Sequence, residues 1–414
     1  MKFKAYSLLL LAGILMFSCK QEPTPETVAA DTAQPFEYLV DQFADLRVLR
    51  YQVPGFEELS ADKKKLVYYL TQAGLSGRDI IWDQNYRHNL RIRKALEQVY
   101  TRFEGDKTTE DWKAFETYLK RVWFSNGIHH HYSNDKITPG FAPEYLEFLL
   151  SETDTELEGE PFEVIFNEAD GKKVNKKKGV DNVAASAVNF YDPDITSEEV
   201  AAYYAAVDKG PAERPVEAGL NSKLVREGGG LKEAVYKVGG LYGPALEEVV
   251  KWLELAVGVA ENEQQARTLE LLIEYYRTGD LSVWDQYAIS WVGSTGGDID
   301  WIQGFVEVYN DPVGYKGSYE SIIQIKDFEM SRQMQVLSEN AQWFEDESPL
   351  MEEHKKDSVV GVSYKTVIVA GEAGDASPST PIGVNLPNNN WIRVAHGSKS
   401  VSLGNIINAY NQAG

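Results

Sequence analysis

Apolar residues recur every three or four positions from Phe36 to about Leu150, which predicts a run of amphipathic helices. FEYLVDQFADLRVLRY, LSADKKKLVYYLTQAGL, LRIRKALEQVYTRF and TTEDWKAFETYLKRVWF all carry this spacing. Ser60 and Thr109 stand where N-caps belong. At FEVIF the period shortens to two and Ala-Asp-Gly follows, predicting a short strand pair. Lys172, Lys173, Lys176, Lys177 and Lys178 then read as a solvated hairpin tip rather than a binding patch. Helix resumes at ITSEEVAAYYAAV, capped by Thr196 or Ser197. PALEEVVKWLELAVGVAENEQQARTLELLIEYYRTGD predicts two long helices or one with a break. From Trp284 the texture is mixed, and the stretch from Trp291 to Glu320, rich in glycine, acids and aromatics, reads as functional loops. SVVGVSYKTVIVAGEAGD predicts a buried strand, and there is no internal repeat.

The one long apolar run comes first. In MKFKAYSLLLLAGILMFSC, Lys2 and Lys4 precede an apolar stretch, Leu8 to Phe17, that is too short to span a bilayer comfortably. Cys19, the single cysteine, ends that stretch where bacterial lipoproteins are cleaved and acylated, although Met16 and Phe17 depart from the usual residues. Lipidation at Cys19 with a place in the bacterial cell envelope (periplasm or outer membrane) is the leading expectation; plain secretion and an uncleaved anchor stay open. A lone cysteine forms no intrachain disulfide, so the core alone must hold the fold. Residues 20–35 read as a flexible tether. The 414 residues are 43% hydrophobic, enough for a sizeable core and too many for one compact lobe. A formal net charge of −22 repels phosphate backbones, so nucleic acid is excluded as a partner.

Three histidines in a row, His129 to His131, raise the question of a metal. Neither these nor His88, His354 and His396 open an H-E-x-x-H motif. The triplet is therefore a polar loop lining a groove, or a structural loop. The five glycines of VREGGGLKEAVYKVGGLYG lack the Gly-Lys-Ser/Thr or G-x-G-x-x-G pattern that cradles phosphate. No G-x-S-x-G elbow is present, and paired acids such as Asp298 and Asp300 say little in so acidic a chain. TPIGVNLPNNNWIR is more informative. Its prolines and glycine favour an extended backbone, while Asn385, Asn388, Asn389, Asn390 and Arg393 offer donors and acceptors. That suits a surface gripping a peptide backbone and its termini; an Asn-rich turn is the alternative.

SPSTPIGVNLPNNNWIRVAHGSKSVSLGNI resembles a block of the dipeptidyl peptidase III family, zinc exopeptidases that release dipeptides from peptide N-termini. VWFSNGIHHHYSNDKITPGF and DIDWIQGFVEVYNDPVG resemble that family too, in the same order, and the resemblance runs from about Phe36 to the last residue. It implies an α+β, predominantly helical fold: a substrate-binding mixed lobe with a small β-barrel core over 36–319 and 362–414, and a short excursion over 320–361 into a helical second lobe that is mostly missing. The family's zinc ligands and general base would lie beyond Gly414, so zinc belongs to the full-length family and none is expected here. The chain is then the substrate-binding portion of a dipeptidyl peptidase and itself inactive; the alternative is a non-catalytic peptide-binding lipoprotein. The implied partners are short peptides with free N-termini, with the membrane reached through the lipid anchor only. By resemblance, Asp300, Asn385 and Asn388 hold the peptide's free amino group, Pro381 and Gly383 lie on the segment along which the peptide adds as a strand, and Arg393 and Asn390 face the cleft. Ile302 stands where some relatives have tyrosine. His129, His130, His131 and Tyr132 become groove lining rather than metal ligands.

Overall fold

The computed structural model describes residues 35–414 apart from Glu168, Asp170, Val360 and Gly361. The expected leader, the tether as far as Gln34 and Cys19 lie outside the described residues. Among the described residues no helix is long and apolar enough to cross a membrane.

The first expected helix is a hairpin instead. β1 (Leu39–Phe43) pairs with β2 (Leu46–Leu49), and Ala44 turns between them at φ 48°. A two-residue turn with a left-handed residue suits antiparallel strands, and it overrides the three- and four-residue spacing of that segment. The remaining helices of the N-terminal region form as their patterns predict: α1 (Ala61–Ser76), α2 (Arg78–Asn85), α3 (Asn89–Arg102), α4 (Glu110–Trp123) and α5 (Pro143–Glu152). Ser60 accepts from the Lys63 N–H and Thr109 from the Trp112 N–H, each supplying an orphan donor of the first turn with a partner.

FEVIF is also helical, within α6 (Glu160–Phe166). Pro161 in the first turn starts a helix and cannot donate to a sheet, and Val164 and Ile165 are buried in the cluster built by α2 to α5. The lysine-rich segment forms no hairpin: Lys173 is 3% exposed, while Lys172, Lys176, Lys177 and Lys178 face solvent. α7 (Ser197–Ala206) opens with a capping box between Thr196 and Glu199. The glycine-rich stretch makes a hairpin, β3 (Ser222–Glu227) with β4 (Gly230–Val235), whose turn residues Gly228 and Gly229 both have positive φ.

Two long helices follow, α8 (Gly243–Val257) and α9 (Glu263–Thr278), then α10 (Leu281–Gly293). The functional loops expected from Trp291 to Glu320 are mostly regular structure. β5 (Ile299–Glu307) and β6 (Ser318–Lys326) form a nearly fully buried antiparallel pair. The stretch expected to be a helical excursion therefore opens with strand, and helix starts only at α11 (Phe328–Glu339) and α12 (Ala341–Asp346). β7 (Val362–Gly374) is the expected buried strand; β8 (Gly383–Leu386), α13 (Asn390–His396), β9 (Ser398–Leu403) and α14 (Gly404–Ala413) complete the chain.

The main sheet has the order β5-β6-β7-β9-β8. β9 enters between β7 and β8, parallel to the first and antiparallel to the second. The fold is α+β and mainly helical, as expected, but among the described residues the barrel is not found. β5 and β8 are edges that do not pair with each other. The sheet is nevertheless curved. Asp300 on β5 and Lys399 on β9 are three strands apart in sheet order, about 14 Å on a flat sheet, yet their side chains meet at 2.7 Å. The main core joins α1, α8, α9 and α10 to this sheet.

Close approach sets one backbone requirement. Gly374 has φ +69°, and a Cβ there would lie 2.1 Å from the Tyr319 carbonyl oxygen. Gly210 has φ +78° with nothing within 4 Å. Urea unfolding is expected to give a loss of about 1–2 kcal/mol for Gly210→Ala, from backbone strain alone, and at least about 2 kcal/mol more for Gly374→Ala, where overlap with the backbone of β6 adds.

Candidate functional site

α10 begins where Asp280 accepts from the Ser282 N–H at 2.8 Å. Its residues Trp284, Tyr287 and Trp291 fall at helical spacing on one face and are buried. They meet Ile302 and Val306 of β5 and Leu386 of β8 around an apolar pocket whose rim carries Glu217, Asn388 and Asn389. Gly304 makes the approach of Trp284 possible, since a Cβ there would lie 2.6 Å from the indole. Glu261 fixes the start of β5 by accepting from the backbone N–H groups of Asp298 and Ile299, both at 2.9 Å, while Lys63 of α1 pairs with Glu261 and Asp298.

Asp300 is fully engaged inside this wall. One oxygen accepts from Trp291 Nε1 at 3.0 Å and from the Trp301 N–H at 2.9 Å. The other accepts from Lys399 Nζ at 2.7 Å. Lys399 is 1% exposed and lies 4.2 Å from the centre of the Trp291 ring. Burial pulls the lysine's pKa down, and the charge and hydrogen bond of Asp300 act against that pull.

The expected clasp of Asp300, Asn385 and Asn388 is distributed over three partners. Asn385 Nδ2 donates to Ser400 Oγ at 2.8 Å. Because side chains alternate along a strand, Asn385 and Ser400 point away from the face that carries Leu386 and Lys399. Asn388 Nδ2 donates to Glu307 Oε2 at 3.2 Å, at the opposite end of β5 from Asp300. Gly383 opens edge strand β8 and Pro381 lies two residues before it, half-buried. Asn390 and Arg393 are exposed on α13. Ile302 is buried in the pocket wall.

β8 has an open side. The Leu403 N–H donates to the Ile382 carbonyl at 3.0 Å. Alternation then turns the N–H and C=O groups of Val384 and Leu386 toward β9 and those of Gly383 and Asn385 outward. Beside that edge stand carboxylates that sequence reasoning passed over. Asp285 accepts from Asn389 Nδ2 at 3.2 Å, and burial, with the Glu217 charge adding, pushes its pKa up to about 7. Burial also raises Glu217 and Glu307; Glu307 adds to the rise at Glu217, while the Asn388 hydrogen bond pulls Glu307 back and Asp375 pushes it up.

The histidine triplet divides. His129 is 1% exposed, with Nε2 3.1 Å from the Gly171 carbonyl oxygen. His130 and His131 stack at 4.4 Å, His130 Nδ1 accepts from the N–H groups of Tyr132 and Ser133, and Tyr132 is exposed. Burial lowers His129 and His131 to about 4, which keeps both neutral near pH 7. Among the described residues no three His, Cys, Asp or Glu side chains are grouped to hold a metal ion.

Lys399, Trp284, Trp291, Glu217, Asp285 and Glu307 were not singled out by sequence reasoning. Two signals were there. Trp284, Tyr287 and Trp291 recur at helical spacing, and Lys399 stands in phase with the inward Val401 and Leu403 of β9.

Lys399→Met is expected to cost about 3–5 kcal/mol by leaving Asp300 unpaired, and the Asp300→Asn/Lys399→Met double variant far less, because no buried charge is then stranded; urea unfolding of the four proteins measures the coupling. Asp285 gives a pH dependence. Its folded pKa lies above its ordinary 3.8, so over that interval the folded chain keeps a proton that the unfolded chain has shed, and stability falls as pH rises to about 7. Asp285→Asn should flatten this slope in thermal unfolding measured from about pH 4 to about pH 8.

Residues 216–414 match the family model described as Peptidase family M49. The chain is 30% identical over 172 residues to dipeptidyl peptidase 3 of Nematostella vectensis, covering 42% of this chain and 23% of that protein. It is 30% identical over 168 residues to dipeptidyl peptidase 3 of Homo sapiens, covering 41% and 22%. Among solved structures, DPP III from Caldithrix abyssi superposes with a TM-score of 0.63 at 22% identity, over 86% of this chain and 57% of that one. Dipeptidyl-peptidase III from Corallococcus sp. strain EGB gives 0.66 at 18%, over 88% and 57%. The structural likeness shows a shared fold, and the matched part spans under a quarter of the two curated relatives. Through its C-terminal half, the chain is related to the M49 dipeptidyl peptidase III family.

Proposed function

We propose that this chain is the peptide-capturing portion of a zinc-dependent dipeptidyl peptidase acting on short peptides with free N-termini. One observation carries the reading: β8, inside the family-matched region, is an edge strand with outward backbone groups at Gly383 and Asn385, next to an apolar pocket of two tryptophans and a tyrosine. An extended peptide adds to such an edge through main-chain hydrogen bonds and drops alternate side chains into flanking pockets. Asn388 lines the pocket, which supports a role for it beside the peptide's first residues. Bound zinc would supply Lewis-acid chemistry to the whole enzyme in this reading. The described residues supply backbone register, an apolar seat and exclusion of water, and no ligand to the metal is assigned among them. The reading retains a lipid anchor at Cys19 in the bacterial cell envelope, supported by the leader's basic start, apolar stretch and terminal cysteine.

The test is tryptophan fluorescence of the 414-residue chain titrated with a free-amine pentapeptide. Asn385→Pro removes an outward N–H without taking a donor from the β8–β9 ladder. It is expected to weaken binding roughly five- to tenfold, the worth of one hydrogen bond, with little change in melting temperature. Unchanged affinity would rule out strand addition at β8.

A further inference from the structure

Strand β7 carries one acid among small and apolar residues, in VIVAGEAG. A Cβ at Gly371 would lie 2.7 Å from the Thr71 hydroxyl oxygen of α1, so Gly371 faces that helix. Side chains alternate along a strand, and Glu372 therefore faces the other side of the sheet. There a cavity of about 380 Å³ opens between β2, β7 and α14, and it shares no residue with the pocket of Trp284 and Trp291. Small-molecule sites commonly measure about 300–1,000 Å³, with mostly apolar walls and few polar groups. The walls here are Val48, Leu49, Phe124, Pro378, Ile406 and Ala409. Asn405, at the start of α14, fixes them by donating to the Gln52 and Val369 carbonyl oxygens, each at 2.9 Å.

Glu372 is the one carboxylate of this lining. Its Oε2 accepts from the Tyr51 hydroxyl at 3.1 Å and from the Thr380 hydroxyl at 2.9 Å. Its Oε1 is buried with no hydrogen-bond partner. Both donors are neutral, and among the described residues Glu372 forms no ion pair. Burial and the Glu372 charge hold the Tyr51 phenol far above its usual range, so it stays a neutral donor. Arg47, the one cation of the lining, is turned to the Ala413 and Gly414 carbonyl oxygens. A carboxylate withdrawn from water without a cation is costly. One molecule can answer both features of the cavity, the unmatched acid and the hydrocarbon wall.

We infer that this cavity binds a small organic ammonium with an apolar body, its N–H₃⁺ group paired with Glu372 and its hydrocarbon part laid on Val48, Leu49, Phe124 and Ile406. The ammonium donates a charge-assisted hydrogen bond to the carboxylate, and a primary alkylamine is the ligand class that fits. The site is separate from peptide capture at β8. Burial pushes Glu372 up to about 7, with the Thr380 and Tyr51 hydrogen bonds pulling it back. Below that pH the acid holds a proton that an arriving ammonium displaces, so binding releases a proton and tightens as pH rises through about 7. Tyr51, Arg47 and Tyr410 are the other titratable groups of the lining.

The test is isothermal titration calorimetry of the 414-residue chain with hexylammonium and with 1-hexanol, its neutral counterpart. Near pH 8 the parent is expected to favour hexylammonium by roughly tenfold or more, the worth of one charged hydrogen bond. Near pH 6 its binding heat should vary with the ionisation enthalpy of the buffer, which marks the released proton. Glu372→Gln keeps the side chain's shape and should bring the two probes level and remove the buffer dependence. Equal binding of the two probes by the parent, binding of neither, or a preference retained by Glu372→Gln overturns the inference. If Glu372→Gln fails to fold, Val48→Trp carries the test. Val48 is half-buried on β2, and an indole there fills the cavity; both probes are expected to bind roughly tenfold more weakly or worse, and unchanged affinities overturn the assignment.

Discussion

The ion pair between Asp300 and Lys399 ties the sheet to itself. It links the first strand of the sheet to the fourth across two intervening strands, which no flat sheet permits. Trp291 is wedged into the pair, donating to Asp300 while its face receives the ammonium. α10 is thereby fixed in the hollow of the curve, and the pocket between α10, β5 and β8 is what the curve leaves. A charge pair so deeply placed contributes little net stability, because desolvation offsets most of the attraction. What it defines is geometry: curvature, the seat of α10 and the distance between the two open edges.

That geometry separates two kinds of carboxylate. Those at the start of β5 are matched with lysines, Asp298 with Lys63 and Asp300 with Lys399. Those near its end, Glu307 with Glu217 and Asp285 close by, are matched with asparagine amides, which donate hydrogen bonds but bring no charge. An excess of negative charge spread over the whole surface would say nothing about function. Here part of it gathers beside Asn388 and Asn389, which line an apolar pocket next to the outward side of β8.

The helices and their caps were legible from spacing alone wherever one face packs on the core, as at Ser60 and Thr109. They were not legible where a local feature outweighed the pattern. The left-handed Ala44 made a hairpin of a helical-looking segment, and Pro161 made a helix of the strand-like FEVIF. The asparagine-rich segment announced itself as a recognition element, and the structure gives it an edge strand. The partners of Asp300 and Asn385 were not legible, since Lys399 and Ser400 are close in space but remote in sequence. Partnerships across a sheet are set by strand order, and β9 entering between β7 and β8 is not written in any one segment. The carboxylates around Asn388 were invisible for the same reason: Glu217, Asp285 and Glu307 come from three separate stretches of chain.

β8 is only four residues long, with Pro381 before it and Pro387 directly after it. An exposed strand edge invites pairing with any other edge, and proteins guard against this with brevity and proline. Here the guard is also a ruler. Two outward rungs, at Gly383 and Asn385, can hold a few residues of extended chain but cannot template a long strand from another molecule. The same shortness that protects this acidic protein from edge-to-edge aggregation limits any strand added at β8 to a few residues.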